Sequence, residues 1–123
     1  MAPPERHMVI RDQRIRLSRD PERHSCRPSV DVLFESLADE IGKQSIACLL
    51  TGMGKDGATG LLAVRDAGGL TFAQDEATSI VFGMPQEAIR MGAAARVLGI
   101  HEIAPTLVAL AGRVVRVGTS GRD

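Results

Sequence analysis

The stretch from Ile46 to Gly69 constrains this chain most, because it joins an uncharged run, a glycine turn and a helical segment in that order. The six uncharged residues Ile46–Thr51 predict a strand that is buried on both faces. After the turn Gly52–Gly54, the residues from about Gly57 to Ala67 predict a helix that ends at a double glycine. Asp56 therefore stands at the carboxyl end of a parallel strand, where open α/β sheets form their sites.

The amino-terminal residues 1–19 are predicted to form an exposed β-hairpin. Ile15 and Leu17 alternate with arginines, and Asp12-Gln13 separates two partly apolar runs. The segment from Asp20 to Ser29 has two prolines and no periodicity, which is typical of a connecting loop.

A helix is predicted directly after this loop. Ser29 is a suitable N-cap, and Asp31 lies in the first turn, where the helix dipole favours an acid. Gly42 ends the predicted helix. The apolar residues of this segment share one helical face, and they are Val30, Leu33, Phe34, Leu37, Ala38 and Ile41.

The second half of the chain continues the alternation of strands and helices. Leu70–Gln74 predicts a strand, and Met84–Gly92 predicts a helix with proline near its start and glycine at its end. A last short strand is expected over Val97–Ile100, followed by a helix over about Pro105–Ala111 and a tail over 113–123. This alternation predicts an α/β domain with a mainly parallel sheet and a core within residues 30–112.

The composition limits the classes of function. A chain of 123 residues is long enough for one domain, and its 15 basic residues balance its 15 acidic ones. We therefore expect no electrostatic attraction to nucleic acid, and an aromatic content of 2% provides no stacking platform for single strands. No apolar run approaches the roughly 18 residues of a membrane span, so the chain is expected to be cytoplasmic and not inserted in a membrane.

The two cysteines, Cys26 and Cys48, have neither the spacing of metal ligands nor that of a disulfide framework. Cys48 lies in the predicted central strand and is expected to pack as a small apolar residue. We expect no metal and no catalytic thiol.

The glycine turn leaves three interpretations of Asp56 open. Gly52–Gly57 fits the G-x-G-x-x-G fingerprint of dinucleotide-binding domains, in which Lys55 would meet a phosphate. Asp56, however, would repel that phosphate from the first helical turn. The acid could instead stabilise the helix dipole by about 0.3–1 kcal/mol, or orient a catalytic histidine as the third member of a Ser-His-Asp triad.

Three long motifs resemble one known family: RPSVDVLFESLA, then LLTGMGKDGATGLLAVRDAGG, then TFAQDEATSIVFGMPQEAIRMGAA. In this order they are similar to the catalytic domain of bacterial chemotaxis protein-glutamate methylesterases, the CheB type. The resemblance covers about residues 2–110. It implies a doubly wound α/β/α sandwich that hydrolyses glutamyl methyl esters on chemoreceptors and deamidates receptor glutamines, with a Ser-His-Asp triad and no cofactor. Asp56 matches the triad aspartate of the family, and Met53 and Gly54 match the loop that lines its active site.

The chain departs from the family pattern in one respect. The family's serine lies in a Gly-Ser-Ser/Thr-x-Gly-Gly turn and its histidine in a Gln-His-Met/Leu motif, and neither motif occurs in these 123 residues. The family's receiver domain has no counterpart here either. The resemblance therefore implies the carboxyl-terminal part of a catalytic domain, whose partners are chemoreceptors, a receiver domain and the amino-terminal half of the same domain.

Three expectations follow from this partial match. The isolated chain should be nearly inactive, because loss of a triad serine or histidine costs on the order of 10⁶ in kcat, against about 10⁴ for the aspartate. His7, His24 and His101 are expected to be structural or solvated and not substitutes. The isolated chain should also self-associate, swap strands or be only marginally stable, because a long sheet edge and apolar helix faces are exposed. A catalytically inactive remnant that binds chemotaxis partners is the alternative function.

Overall fold

In this computed structural model the described backbone comprises residues 3–23, 26–52, 54 and 56–118. The elements follow in the order β1 (His7–Arg11), β2 (Arg14–Ser18), α1 (Val30–Glu40), a 3₁₀ turn (Gly42–Gln44), β3 (Ile46–Leu49), α2 (Ala58–Asp66), β4 (Leu70–Gln74), α3 (Gly83–Arg90), β5 (Arg96–Leu98) and α4 (Ile100–Gly118).

The central sheet has three parallel strands in the order β3-β4-β5. Ile46 of β3 lies opposite Leu70 of β4, and Phe72 of β4 lies opposite Arg96 of β5. Each connection between neighbouring strands contains a helix, as parallel pairing requires. The predicted α/β class with a parallel sheet is thus confirmed.

Helices cover both faces of this sheet. Successive residues of a strand point to opposite faces, and β3 contributes Ala47 and Leu49 to one apolar cluster but Ile46 and Cys48 to another. The first cluster joins β3 to α1, α2 and α3 and contains Phe34, Ala38, Ala47, Leu49, Ala58, Leu61, Val64, Ala88 and Ala93. The second joins the sheet to α4 through Phe72, Leu98 and Ile103. The layering is that of an α/β/α sandwich.

The amino-terminal hairpin forms as predicted and packs on α1. Asp12 and Gln13 have φ angles of 55° and 60°, which the tight turn between β1 and β2 requires. Val9 is buried, and the Ile10 amide donates a hydrogen bond of 2.8 Å to Ser36 Oγ on α1. The hairpin therefore forms a separate two-stranded sheet beside the first helix.

The predicted central strand is too long at its carboxyl end. β3 ends at Leu49, and Leu50 and Thr51 lie outside the sheet. The Thr51 amide donates 2.9 Å to the side-chain oxygen of Gln74, and its hydroxyl donates 2.9 Å to the Val81 carbonyl. These bonds, to the last side chain of β4 and to the loop after it, take the place of ladder pairing.

The prediction for the last helix is wrong at both ends. α4 begins at Ile100, which shortens the predicted last strand, and passes through Gly112 to Gly118, so that much of the predicted tail is helical. Glu102 explains the early start, because its carboxylate accepts 2.8 Å from the Gly99 amide and caps the first turn. Residues 119–123 lie outside the described part of the chain. Among the described residues, no helix combines the length and the apolar character that a membrane crossing needs.

We predict that Gly60→Ala destabilises the chain. A Cβ at Gly60 would lie 2.7 Å from the Phe34 Cβ and 3.0 Å from the Asp31 Cα, so α1 would have to move away from α2. The free energy of unfolding should fall by about 1–3 kcal/mol, although Gly→Ala at an open helical site raises it by about 0.5–1 kcal/mol. Urea denaturation tests this, with the neighbouring exposed Thr59→Ala as control. A gain in stability from Gly60→Ala would contradict the close approach of α1 and α2.

Candidate functional site

Asp56 lies in the turn between β3 and α2, at the carboxyl edge of the parallel sheet, as the sequence predicts. Its side chain is half-buried. Gly57 follows with a φ of 104°, and a Cβ there would lie 2.6 Å from Leu49 Cδ1, so the turn requires glycine at this position. Gly54 is exposed and has a φ of 97°. Met53 and Lys55 lie outside the described residues.

The carboxylate of Asp56 accepts hydrogen bonds from the amino terminus of α1. Oδ1 accepts 2.7 Å from Ser29 Oγ and 3.1 Å from the Asp31 amide. Oδ2 accepts 2.6 Å from the Val30 amide. Asp56 thus satisfies N–H groups and stabilises the positive dipole end of a helix that begins 26 residues earlier in the chain.

These contacts hold Asp56 in one orientation and leave it acceptor capacity. An ionised carboxylate offers roughly four lone-pair directions, and the bonds among the described residues use three of them. Oδ2 accepts one bond, whereas Oδ1 accepts two. The remaining direction on Oδ2 could receive the N–H of an imidazole, as a triad aspartate does.

Asp31 makes the reciprocal contact to α2. It is fully buried, and its Oδ1 accepts 3.0 Å from the Gly57 amide and 2.7 Å from the Gly60 amide. Asp56, just before α2, therefore caps α1, and Asp31, in the first turn of α1, caps α2. The sequence places Asp31 in the first turn of its own helix, but its carboxylate serves α2 instead.

This cap removes the basis of the nucleotide-binding alternative. A pyrophosphate in a G-x-G-x-x-G site binds to the free N–H groups at the start of the helix. Here the Gly57 and Gly60 amides already donate to the Asp31 carboxylate, and Asp56 adds a second negative charge beside them. A phosphate at this position would have to displace one carboxylate and approach another.

His7 is buried and has a structural role, as expected. Its Nδ1 accepts 3.1 Å from the Ser29 amide, and its Nε2 donates 2.9 Å to the Pro21 carbonyl. This pattern assigns the proton of the neutral ring to Nε2. The imidazole joins the hairpin to the loop and to the start of α1.

Ser29, His7 and Asp56 lie together, but their hydrogen bonds are not those of a catalytic triad. The Ser29 hydroxyl donates to Asp56 and not to the imidazole, and the contact of His7 with Ser29 is to the backbone amide. Ser29 is also only 3% exposed, which leaves no space for a substrate carbonyl. Residues of the three required types are thus close together without a nucleophile–base pair.

Among the described residues, the other candidate groups make no hydrogen bond to Asp56. His101 is exposed in the first turn of α4, and His24 lies outside the described residues. Burial raises the pKa of the Cys48 thiol to about 11, so this cysteine is a packing residue at neutral pH. Burial also raises the pKa of Cys26. Within the described part of the chain, no three metal-ligating side chains cluster.

The second and third sequence motifs meet beside the glycine turn. The Gly52 amide donates 2.8 Å to the Val81 carbonyl, and the Met84 amide donates 2.9 Å to the Gly52 carbonyl. Gln74 supports this contact, because its amide donates 2.7 Å to the Thr78 carbonyl while its oxygen accepts from Thr51. The loop after β4 is thus hydrogen-bonded to the glycine turn that precedes Asp56.

The comparison with known proteins agrees with this architecture. A model of the CheB methylesterase family matches residues 1–107. This chain belongs to that family. It is similar to the CheB methylesterase catalytic domain of Thermotoga maritima, with a TM-score of 0.83 and 34% sequence identity over 89% of this chain and 60% of that domain. The predicted family and fold are confirmed.

Two relatives show how the length of this chain compares with that of similar proteins. Protein-glutamate methylesterase/protein-glutamine glutaminase 2 of Pseudomonas aeruginosa is 51% identical over 117 residues, which cover 92% of this chain and 34% of the relative. The corresponding protein of Escherichia coli O157:H7 is 42% identical over 123 residues, covering 95% of this chain and 35% of the relative. The chain spans about a third of the length of these relatives.

The pH dependence of stability should reveal the buried Asp31. Burial raises its pKa, the negative Asp56 adds to this, and the Gly60 and Gly57 amides oppose it. Because the folded pKa exceeds the unfolded value of about 4, the stabilising contribution of Asp31 is complete below that pH and is lost as the pH rises through the folded pKa.

We therefore predict that the stability of the unmodified chain, relative to Asp31→Asn, increases as the pH falls from neutral towards about 4. Urea denaturation at a series of pH values measures this difference. Asp31→Ala is a second variant for comparison. It should lower the free energy of unfolding more than Asp31→Asn does, because the amide oxygen of asparagine can still accept hydrogen bonds from the Gly57 and Gly60 amides. A relative stability that falls on acidification would mean that the ionised form of Asp31 is the favoured one in the fold.

Proposed function

We propose that this chain provides the aspartate of a protein-glutamate methylesterase and glutaminase. The observation that carries the proposal is the geometry of Asp56 at the carboxyl edge of a parallel sheet. Among the described residues, three donors orient its carboxylate and leave acceptor capacity on Oδ2. Relatives that are 42% and 51% identical carry the name of this activity. The serine and the histidine would come from a segment outside these 123 residues.

In the proposed reaction the serine oxygen attacks the carbonyl carbon of a glutamyl methyl ester, and the histidine takes the serine proton. The histidine then donates this proton to the departing methoxide, which leaves as methanol, and water hydrolyses the acyl-enzyme to a glutamate. A glutamine substrate would follow the same steps and release ammonia. Asp56 would accept the Nδ1–H of the histidine, fix its tautomer and stabilise the imidazolium that forms in each step.

The same proposal includes the partners and the compartment. The substrates would be methylated or amidated glutamyl side chains on the cytoplasmic helices of chemoreceptors. A receiver domain would regulate access to the site. We infer a cytoplasmic location, without binding to nucleic acid and without a cofactor.

One observation favours the non-enzymatic alternative. The hydrogen bonds that Asp56 makes among the described residues all go to the start of α1, which by itself is a structural role. A remnant that binds receptor or kinase would keep the acid for this reason alone. In that case receptor binding should survive Asp56→Asn, and no hydrolysis should appear with any complementing segment.

A chimeric enzyme separates these alternatives. In it, this chain replaces the matching third of the Pseudomonas aeruginosa relative, and methanol release from methylated receptor is measured. We expect an active chimera in which Asp56→Asn lowers kcat by about 10⁴-fold, because the asparagine amide disfavours the required histidine tautomer. The unaltered relative is the positive control. A folded chimera without activity, or one whose activity does not change with Asp56→Asn, would contradict the proposal.

We also predict that the isolated chain self-associates. β3 and β5 are the outer strands of the described sheet, and each leaves one row of backbone N–H and C=O groups without a neighbouring strand there. Both edges are short, four residues in β3 and three in β5, and not the long edge expected from the sequence. Light scattering should give a mass above 13.1 kDa for the isolated chain, while the chimera stays monomeric. A stable monomeric chain would contradict the prediction.

A further inference from the structure

We propose that Ser29 is a positioning residue for Asp56, so that its hydroxyl sets the turnover rate of the assembled enzyme. This inference rests on the proposed function. It concerns a residue whose sequence context indicates a helix N-cap and nothing more.

The Ser29 hydroxyl is used for more than capping. An N-cap serine needs only to accept a hydrogen bond from the N2 or N3 amide, and Ser29 Oγ accepts a long one, 3.4 Å, from the Val32 amide. Its single O–H instead donates 2.7 Å to Oδ1 of Asp56. The shorter of the two contacts is therefore the one to the carboxylate.

Ser29 is itself held in place by the hairpin. Its backbone amide donates to Nδ1 of the buried His7, whose Nε2 donates to the Pro21 carbonyl. Ser29 is only 3% exposed, so water does not compete for its hydroxyl. The orientation of Asp56 is thus tied, through one serine, to the packing of β1 against α1.

The two oxygens of Asp56 explain why this bond affects catalysis. Among the described residues, Ser29 and the Asp31 amide occupy Oδ1, and the remaining acceptor direction lies on Oδ2. Without the Ser29 hydroxyl, Oδ1 also has a free acceptor direction. The carboxylate can then rotate between an arrangement in which Oδ1 accepts the histidine N–H and one in which Oδ2 accepts it. Misplacement of a catalytic group by about 1 Å costs about 10²-fold in rate, and it affects the chemical step more than binding.

Substitutions at two serines separate positioning from helix capping. Ser29→Ala removes both the cap and the donor. Ser29→Gly removes the donor but costs the helix only a few tenths of a kcal/mol, since glycine is an acceptable N-cap. Ser36→Ala is the matched control on the same helix, because Ser36 Oγ bonds Ile10 and Leu33 and not Asp56.

In the chimeric enzyme we expect Ser29→Ala and Ser29→Gly to lower kcat alike, by about tenfold to a hundredfold, with KM changed less than about twofold. Ser29→Thr, which restores a hydroxyl, should recover most of kcat. Ser36→Ala should lower thermal stability without changing kcat. When Asp56→Asn is already present, Ser29→Ala should cause no further loss of kcat, because the group through which it acts is altered.

The outcomes distinguish this inference from the function on which it rests. An inactive chimera, or one that Asp56→Asn does not affect, overturns both. A chimera that loses activity with Asp56→Asn but not with Ser29→Gly overturns the positioning role and leaves the function intact. Equal losses of kcat from Ser29→Ala in the chimera and in its Asp56→Asn variant would also overturn it, since they would mean that the serine acts only through the stability of the fold.

Discussion

The structure depends on two reciprocal helix caps, in which an acid at the start of each helix accepts hydrogen bonds from the start of the other. Asp56, at the start of α2, caps α1, and Asp31, in the first turn of α1, caps α2. The two acids lie close together because each is stabilised by the N–H groups and the dipole of the opposite helix, which offset their mutual repulsion. Neither helix terminus could keep its hydrogen bonds if the other moved away.

The packing of α1 on α2 makes these reciprocal caps geometrically possible. Gly60 lets the two helices approach until a methyl group would lie 2.7 Å from the Phe34 Cβ. Gly57 turns the chain with a positive φ, so that Asp56 faces α1 while the residue after Gly57 begins α2. Gly60 and the left-handed turn at Gly57 thus let the two helices approach closely. The carboxylates of Asp56 and Asp31 accept hydrogen bonds from the backbone N–H groups at the helix starts.

A carboxylate held in this way suits two roles, so the site is informative although the chain spans about a third of its relatives' length. As a cap, Asp56 stabilises α1. As a proposed triad member, the same acid has an orientation fixed by donors before any histidine approaches, so little reorganisation accompanies the reaction. Membership of the CheB methylesterase family supports the second role. The bond of Asp56 to Ser29, whose amide in turn bonds His7, connects the acid to the packing of the hairpin.

Much of the architecture could be predicted from the sequence, because helical periodicity, caps and turn residues are local. The hairpin turn at Asp12-Gln13, the N-cap Ser29 and the strand Leu70–Gln74 follow from such patterns. The sequence alone also determined the family and placed Asp56 between a parallel strand and the helix that follows it. Local signals failed where distant groups compete for the backbone, as at Thr51, which bonds Gln74 and Val81 instead of extending β3. Tertiary structure decided the partners of Asp56 and Asp31, because these contacts join residues about 26 positions apart and exist only once α1 lies on α2.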